Sequence, residues 1–151
     1  MSLGTTNIVD AVVTHALTSG LFSQVNAHEP KNPPSTGLAC AVWADRVGGI
    51  RRSGLDSMSA RLALTVRVFK PLVAEPADDV DAVVLGAVDT LFTAYCGDFT
   101  LGGLIRHVDI LGAEGPQLDA ALGYFTVDDV DYRVATITLP LIINDLWTEV
   151  A

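Results

Sequence analysis

The side chains of this chain that could do chemistry are three histidines, two cysteines and eighteen carboxylates. Metal sites need such groups at ligand spacing, for example two on one helix face. His15 falls on the polar side of a first helix, His28 precedes a proline-rich loop, and His107 lies within a strand. They have no partner four residues away and no cysteine near them in sequence. Cys40 and Cys96 are far apart, form neither a metal nor a redox spacing, and read as buried free thiols. Asp78-Asp79 and Asp128-Asp129 could hold a hard cation. A helix N-terminus and a hairpin turn explain the two pairs better. Gly97 to Gly103 matches neither the phosphate-loop nor the dinucleotide pattern, and no Gly-x-Ser-x-Gly elbow occurs. The residues therefore predict a protein that is not an enzyme, with no metal and no cofactor.

The charged residues suggest recognition instead. The net charge is -9, which argues against general affinity for nucleic acid or anionic membranes. Arg46, Arg51, Arg52 and Arg61 gather in one region, and Arg67 follows. From Pro71 to Gly103 there is no Lys or Arg, only the acids Glu75, Asp78, Asp79, Asp81, Asp89 and Asp98. A second acidic run holds Asp109, Glu114, Asp119, Asp128, Asp129 and Asp131. A basic loop and acidic faces on one object allow copies to associate head to side. An ordinary solvated surface is the alternative. Arg51 and Arg52 could clamp a partner's carboxylate. Trp43 reads as core. Trp147, beyond the last regular strand, either docks on a neighbour or packs on its own sheet.

These residues must be positioned by a fold, and 151 residues, half of them apolar, suit one domain over residues 1–151. The organising stretch is Ser59 to Gly97. Ala60, Leu62, Leu64, Val66 and Val68 alternate with Arg61, Ala63, Thr65, Arg67 and Phe69, which predicts a long half-buried strand ended by Pro71. Val80, Val83, Val84, Ala87, Val88, Leu91, Phe92 and Tyr95 then recur at helical spacing. Asp78, Asp79 and Asp81 head that helix, where the dipole favours anions, and Gly97 suits a left-handed cap.

Upstream, Thr5 or Thr6 can cap a first helix with the stripe Ile8, Val9, Val12, Val13, Ala16 and Leu17, ended by Gly20. Leu21 to His28 is a weak strand, Glu29 to Gly37 a loop, and Leu38 to Ala44 a strand covered on both faces. Asp45 to Ser57 reads as a loop. Downstream, Leu104 to Leu111 predicts a strand. Ala120 to Val127 and Tyr132 to Ile143 predict a hairpin around Asp128-Asp129, with Pro140 at an edge or bulge. The sum is an α+β fold: a mostly antiparallel sheet with two main helices packed on it. One sheet face, near Thr65, Thr136 and Thr138, is left for solvent or another subunit. No apolar segment approaches the roughly 20 residues of a membrane span, and no signal peptide is visible, so a soluble cytoplasmic product is expected.

This order resembles the tail-terminator proteins of long, non-contractile-tailed bacteriophages, the minor tail protein U-like family. The resemblance lies in the helix Ile8 to Thr18 and in Gly54-Leu55-Asp56-Ser57 running into the strand Ala60 to Phe69 and Pro71. It continues in the acid-headed helix Asp78 to Cys96 and the closing hairpin Gly123 to Asp145, which is similar to tail proteins of actinobacterial phages. It implies a virion structural protein that closes as a hexameric ring on the head-proximal end of the tail tube. Such a ring, assembled in the host cytoplasm, ends tube polymerisation. It contacts the tail tube protein and the head–tail connector protein and lets DNA pass without specific binding, with no membrane involved. The subunit or partner contacts expected on this basis are Arg46, Arg51, Arg52, Arg61, Arg67, Asp78, Asp79, Asp81 and Trp147. Two rivals stand beside it: a head–tail joining or head-completion neck protein, and a small-ligand binding module with its pocket between sheet and helices.

Overall fold

A computed structural model of the chain describes residues 4–27, 38–50, 57–72, 80–98, 100–127 and 129–148. The order of elements is α1 (Thr5–Ser19), β1 (Gln24–Asn26), β2 (Ala39–Gly49), β3 (Ser57–Pro71), α2 (Val80–Gly97), β4 (His107–Val108), β5 (Asp119–Val127) and β6 (Val130–Thr148). Among the described residues the strands form one curled sheet in the order β1-β2-β3-β6-β4, with β5 also paired to β6. β1 runs parallel to β2; every other pairing is antiparallel. The fold is α+β, with both helices on one face of the sheet.

The alternation along β3 decides what each face carries. Ala60, Leu62, Leu64, Val66 and Val68 are buried in the main core with Val12 of α1, Leu91 and Tyr95 of α2, and Ile137, Leu139 and Leu141 of β6. A side chain of this kind contributes about 1.5–3 kcal/mol when fully buried. The other set, with Arg61, Thr65 and Arg67, faces away from the helices. There a smaller cluster of Ala39, Ala41, Phe69, Tyr132 and Val134 forms, flanked by Trp43, Phe125 and Val130. Thr136 and Thr138 share that face, opposite Arg67 and Thr65.

Several sequence expectations need correction. The loop expected over Asp45 to Ser57 is overturned in part: β2 continues to Gly49, so Arg46 sits on a strand, and β3 begins at Ser57, while residues 51–56 lie outside the described residues. A bulge between Ala44 and Arg46 leaves Asp45 unpaired and sets Arg46 opposite Ala63. Without that extra residue Arg46 would turn to the helix side, since a one-residue shift reverses the face. Thr5 and Thr6 lie inside α1, whose N-cap is Gly4 without a side-chain cap bond; Gly20 does close it, at φ 72. Gly97 stays within α2, and the chain reverses further on, through Leu101, Gly102 and Gly103 at positive φ. Val83 is exposed, as is Leu17, because neither position meets the sheet. The strand expected over Leu104 to Leu111 shrinks to His107–Val108.

Pro140 explains how β6 serves two partners on one edge. β5 pairs along it up to Thr138, and β4 takes over at Leu141. The Pro140 carbonyl accepts from the Asp109 amide at 2.9 Å. The N–H and C=O of a strand residue leave on the same side, so the donor that Pro140 lacks would point into this changeover, where no ladder bond is lost. Asp129, at φ 66, closes the hairpin between β5 and β6 as the sequence predicts.

By length and composition α2 could cross a membrane. Its inward stripe, Val80, Val84, Ala87, Leu91 and Tyr95, is buried, while Asp81 and Asp89 are exposed. That pattern is the one expected of a helix packed on a sheet.

Candidate interaction surface

The helix-free face brings together residues from four strands. Arg67 projects from β3 with its guanidinium carbon 5.3 Å from the Trp43 ring of β2 and 5.3 Å from the Phe125 ring of β5. Its Nε donates to Thr136 Oγ1 of β6 at 3.0 Å. Aromatic faces attract a cation and hold its plane in place. The two terminal nitrogens have no acceptor among the described residues. An arginine fixed in this way is half-buried, loses little freedom on binding, and still offers donors in a fork that suits a carboxylate. Phe125 packs in turn on Phe69, with ring centroids 6.1 Å apart, and Phe69 on Tyr132 at 6.0 Å. The platform thus stands on the smaller core. Arg46 lies further along the same face, exposed and in no ion pair among the described residues.

Arg61, on the same face, is engaged internally. Its Nε lies 3.5 Å from Asp109 Oδ2, and Nη2 donates to the Pro116 carbonyl. Asp109 is 2% exposed, and its carboxylate also accepts from the amides of Ala113 at 2.8 Å and Glu114 at 3.0 Å. The segment after β4 is therefore clasped to β3. Asp81, expected as an acceptor for a neighbour, pairs at 2.9 Å with Arg133 Nε of its own chain, and that guanidinium stacks 4.6 Å over Tyr124. Arg51, Arg52, Asp78 and Asp79 lie outside the described residues, as does the Trp147 side chain; the Trp147 backbone pairs with Met58. Trp43 is partly buried at the edge of the smaller cluster, not in the main core.

The two cysteines differ, contrary to the expectation that both are buried. Cys40 is buried and Cys96 exposed. Burial pushes the Cys40 thiol up to about 12. In the native protein a thiol reagent at pH 8 is expected to modify Cys96 alone, with Cys40 reacting only on unfolding. Mass spectrometry of the labelled protein checks this; fast double labelling of folded protein would contradict it.

Tyr95 lies wholly inside the main core, and its hydroxyl has no hydrogen-bond partner among the described residues. Burial raises its pKa, and neighbouring Cys40 adds to the rise. An unmatched buried hydroxyl costs about 1–3 kcal/mol, so Tyr95→Phe is expected to stabilise the protein by roughly 1 kcal/mol. A urea midpoint that rises with unchanged slope would show it; a fall would mean that the hydroxyl has a partner.

Two grooves bear on ligand binding. One, of about 360 Å³, lies between α1 and β2 beside Thr5, Val9, Asp10 and Trp43. Another, of about 510 Å³, lies beside Leu21, Lys70, Val83 and Gly86. Each is open to solvent and has one charged side chain, so neither presents converging polar groups. Among the described residues no three His, Cys, Asp or Glu side chains lie close enough to share a metal ion.

No family model matches this chain, and no curated protein does.

The sequence pointed to Arg46 and Arg67 through charge and strand alternation. It gave no role to Phe125, and to Asp109 none beyond membership of an acidic run. Phe125 reaches Arg67 only because β6 separates their strands and the sheet curls, a proximity that no sequence spacing encodes.

Proposed function

We propose that this chain is a structural subunit that assembles with copies of itself into a ring. Its place is at the head-proximal end of a phage tail tube, where it ends tube growth and meets the head connector. The observation that supports this most is the placement of opposite charge. The helix-free sheet face carries Arg46 and the stacked Arg67, while α2, on the far side of the sheet, shows Asp81 and Asp89 to solvent. A contact between different surfaces on opposite sides of one domain is heterologous, and it repeats until rotation closes it. The resemblance to tail terminators supplies the place of such a ring.

The action is geometric. One ring face occupies the growing end of the tube, and the other lacks what would recruit the next tube ring. No bond is made or broken, and the acidic surface repels passing DNA.

The test is to add the protein to elongating tail tubes and measure tube length by negative-stain microscopy. Growth should stop, with the protein at one end. Tubes of unchanged length, with the protein bound to DNA-filled heads instead, would transfer it to the neck of the particle.

A further inference from the structure

Building on the self-assembling reading above, we propose that the occupant of the Trp43–Arg67–Phe125 platform is the outer strip of α2 from a second copy, with Asp89 as the carboxylate that Arg67 binds.

The donor side is an arginine held between two aromatic rings, half-buried, whose terminal nitrogens have no acceptor among the described residues. Desolvated arginine and tryptophan at the centre of a patch are the residue types that dominate binding energy in protein interfaces. The acceptor side is the exposed strip Asp81, Leu85 and Asp89, one helical turn apart. Leu85 is 50% exposed, on a helix whose opposite stripe is already buried. Asp81 is partly neutralised by Arg133 of its own chain, whereas the Asp89 carboxylate has no partner among the described residues. The chain as a whole holds eighteen acids against nine basic residues, so an arginine with no carboxylate partner among the described residues is the scarcer group and the acids are in excess.

The spacings agree. Arg67 stands four strand residues from Ala63, and Arg46 is opposite Ala63, so the two guanidinium-bearing positions lie about 14 Å apart. Asp81 and Asp89 are separated by about 12 Å along a helix. With Asp89 on Arg67, Asp81 comes within reach of Arg46, and Leu85 falls between them, over Trp43, Thr65 and Ala63. The bulge at Asp45 makes this possible, because it holds Arg46 on the same face as Arg67.

The experiment is light scattering after size exclusion over a concentration series, using the whole chain. The wild type should form a closed oligomer. Asp89→Arg should weaken self-association by about 30-fold or more, the effect of breaking a close interfacial charge pair. Asp89 is exposed on the helix surface, so this variant should fold normally, with an unchanged thermal melt. Arg67→Glu should have the same effect. Mixed in equal amounts, the two variants should assemble again, because the carboxylate introduced at position 67 of one meets the guanidinium introduced at position 89 of the other. Wild-type assembly by Asp89→Arg, or a mixture that stays monomeric, overturns the pairing. A wild type that is monomeric at every concentration yet stops tube growth overturns the pairing and leaves the terminator reading intact. A wild type that assembles through this pair but leaves tubes growing does the reverse.

Discussion

Replacing Asp109 by alanine should lower the free energy of unfolding by about 3–5 kcal/mol, the cost of removing one partner of a buried, hydrogen-bonded pair. The Asp109 side chain is 3% exposed and that of Arg61 11%. Removing the carboxylate leaves the guanidinium with the Pro116 carbonyl and takes away the acceptor that Asp109 gives to the amides of Ala113 and Glu114. The segment that carries them is tight. Gly112 has φ 76, and a Cβ there would stand 2.6 Å from the Gly115 carbonyl oxygen. At Gly115 a Cβ would stand 2.9 Å from the Arg61 guanidinium. The turn is thus shaped around the pair and has few other conformations to relax into. Asp109→Asn keeps an acceptor oxygen and should cost less than the alanine variant. Arg61→Met added to Asp109→Ala should recover part of the loss, since it removes the stranded charge. Urea unfolding measures all three; an alanine variant within about 1 kcal/mol of wild type would mean the clasp is water-filled and weak.

Leu64→Ala is the second large effect, with an expected loss of about 2–5 kcal/mol. Leu64 is fully buried near the middle of β3, between Ala44 of β2 and Leu139 of β6. The strand is held on both sides, so its backbone cannot move to fill the space. The helices above are anchored by their own buried stripes. Domains of this size have stabilities of roughly 5–15 kcal/mol, so one substitution removes a large share. Thr65→Ala, one residue away on the opposite face, should change stability by less than about 0.5 kcal/mol. Equal effects at the two positions would mean that the two faces of β3 do not differ in burial. The same pair separates folding from assembly: Thr65 lies on the helix-free face, so its loss should leave the core untouched.

The sequence by itself determined the class of the fold and which face of β3 is core. Alternation with period two and recurrence with period 3.6 are local properties, and they were legible in Ala60 to Val68 and in Val80 to Tyr95. The β5–β6 hairpin was legible for the same reason, through Asp128-Asp129 between two apolar runs. What the tertiary structure decided is everything that depends on which strand lies beside which. It carried β2 beyond Ala44 by pairing it with β3, because a strand beside a long partner gains ladder bonds that a glycine-rich segment would not form alone. It reduced the expected strand after Gly103 to two residues, because Pro140 and β5 bound it at one end and the turn through Leu101, Gly102 and Gly103 bounds it at the other. It committed Arg61 to Asp109 and Asp81 to Arg133, and left Arg67 between Trp43 and Phe125 with no carboxylate partner among the described residues. Charge and periodicity name the residues that can recognise a partner. Only the packing of distant segments shows which of them are already satisfied within the chain.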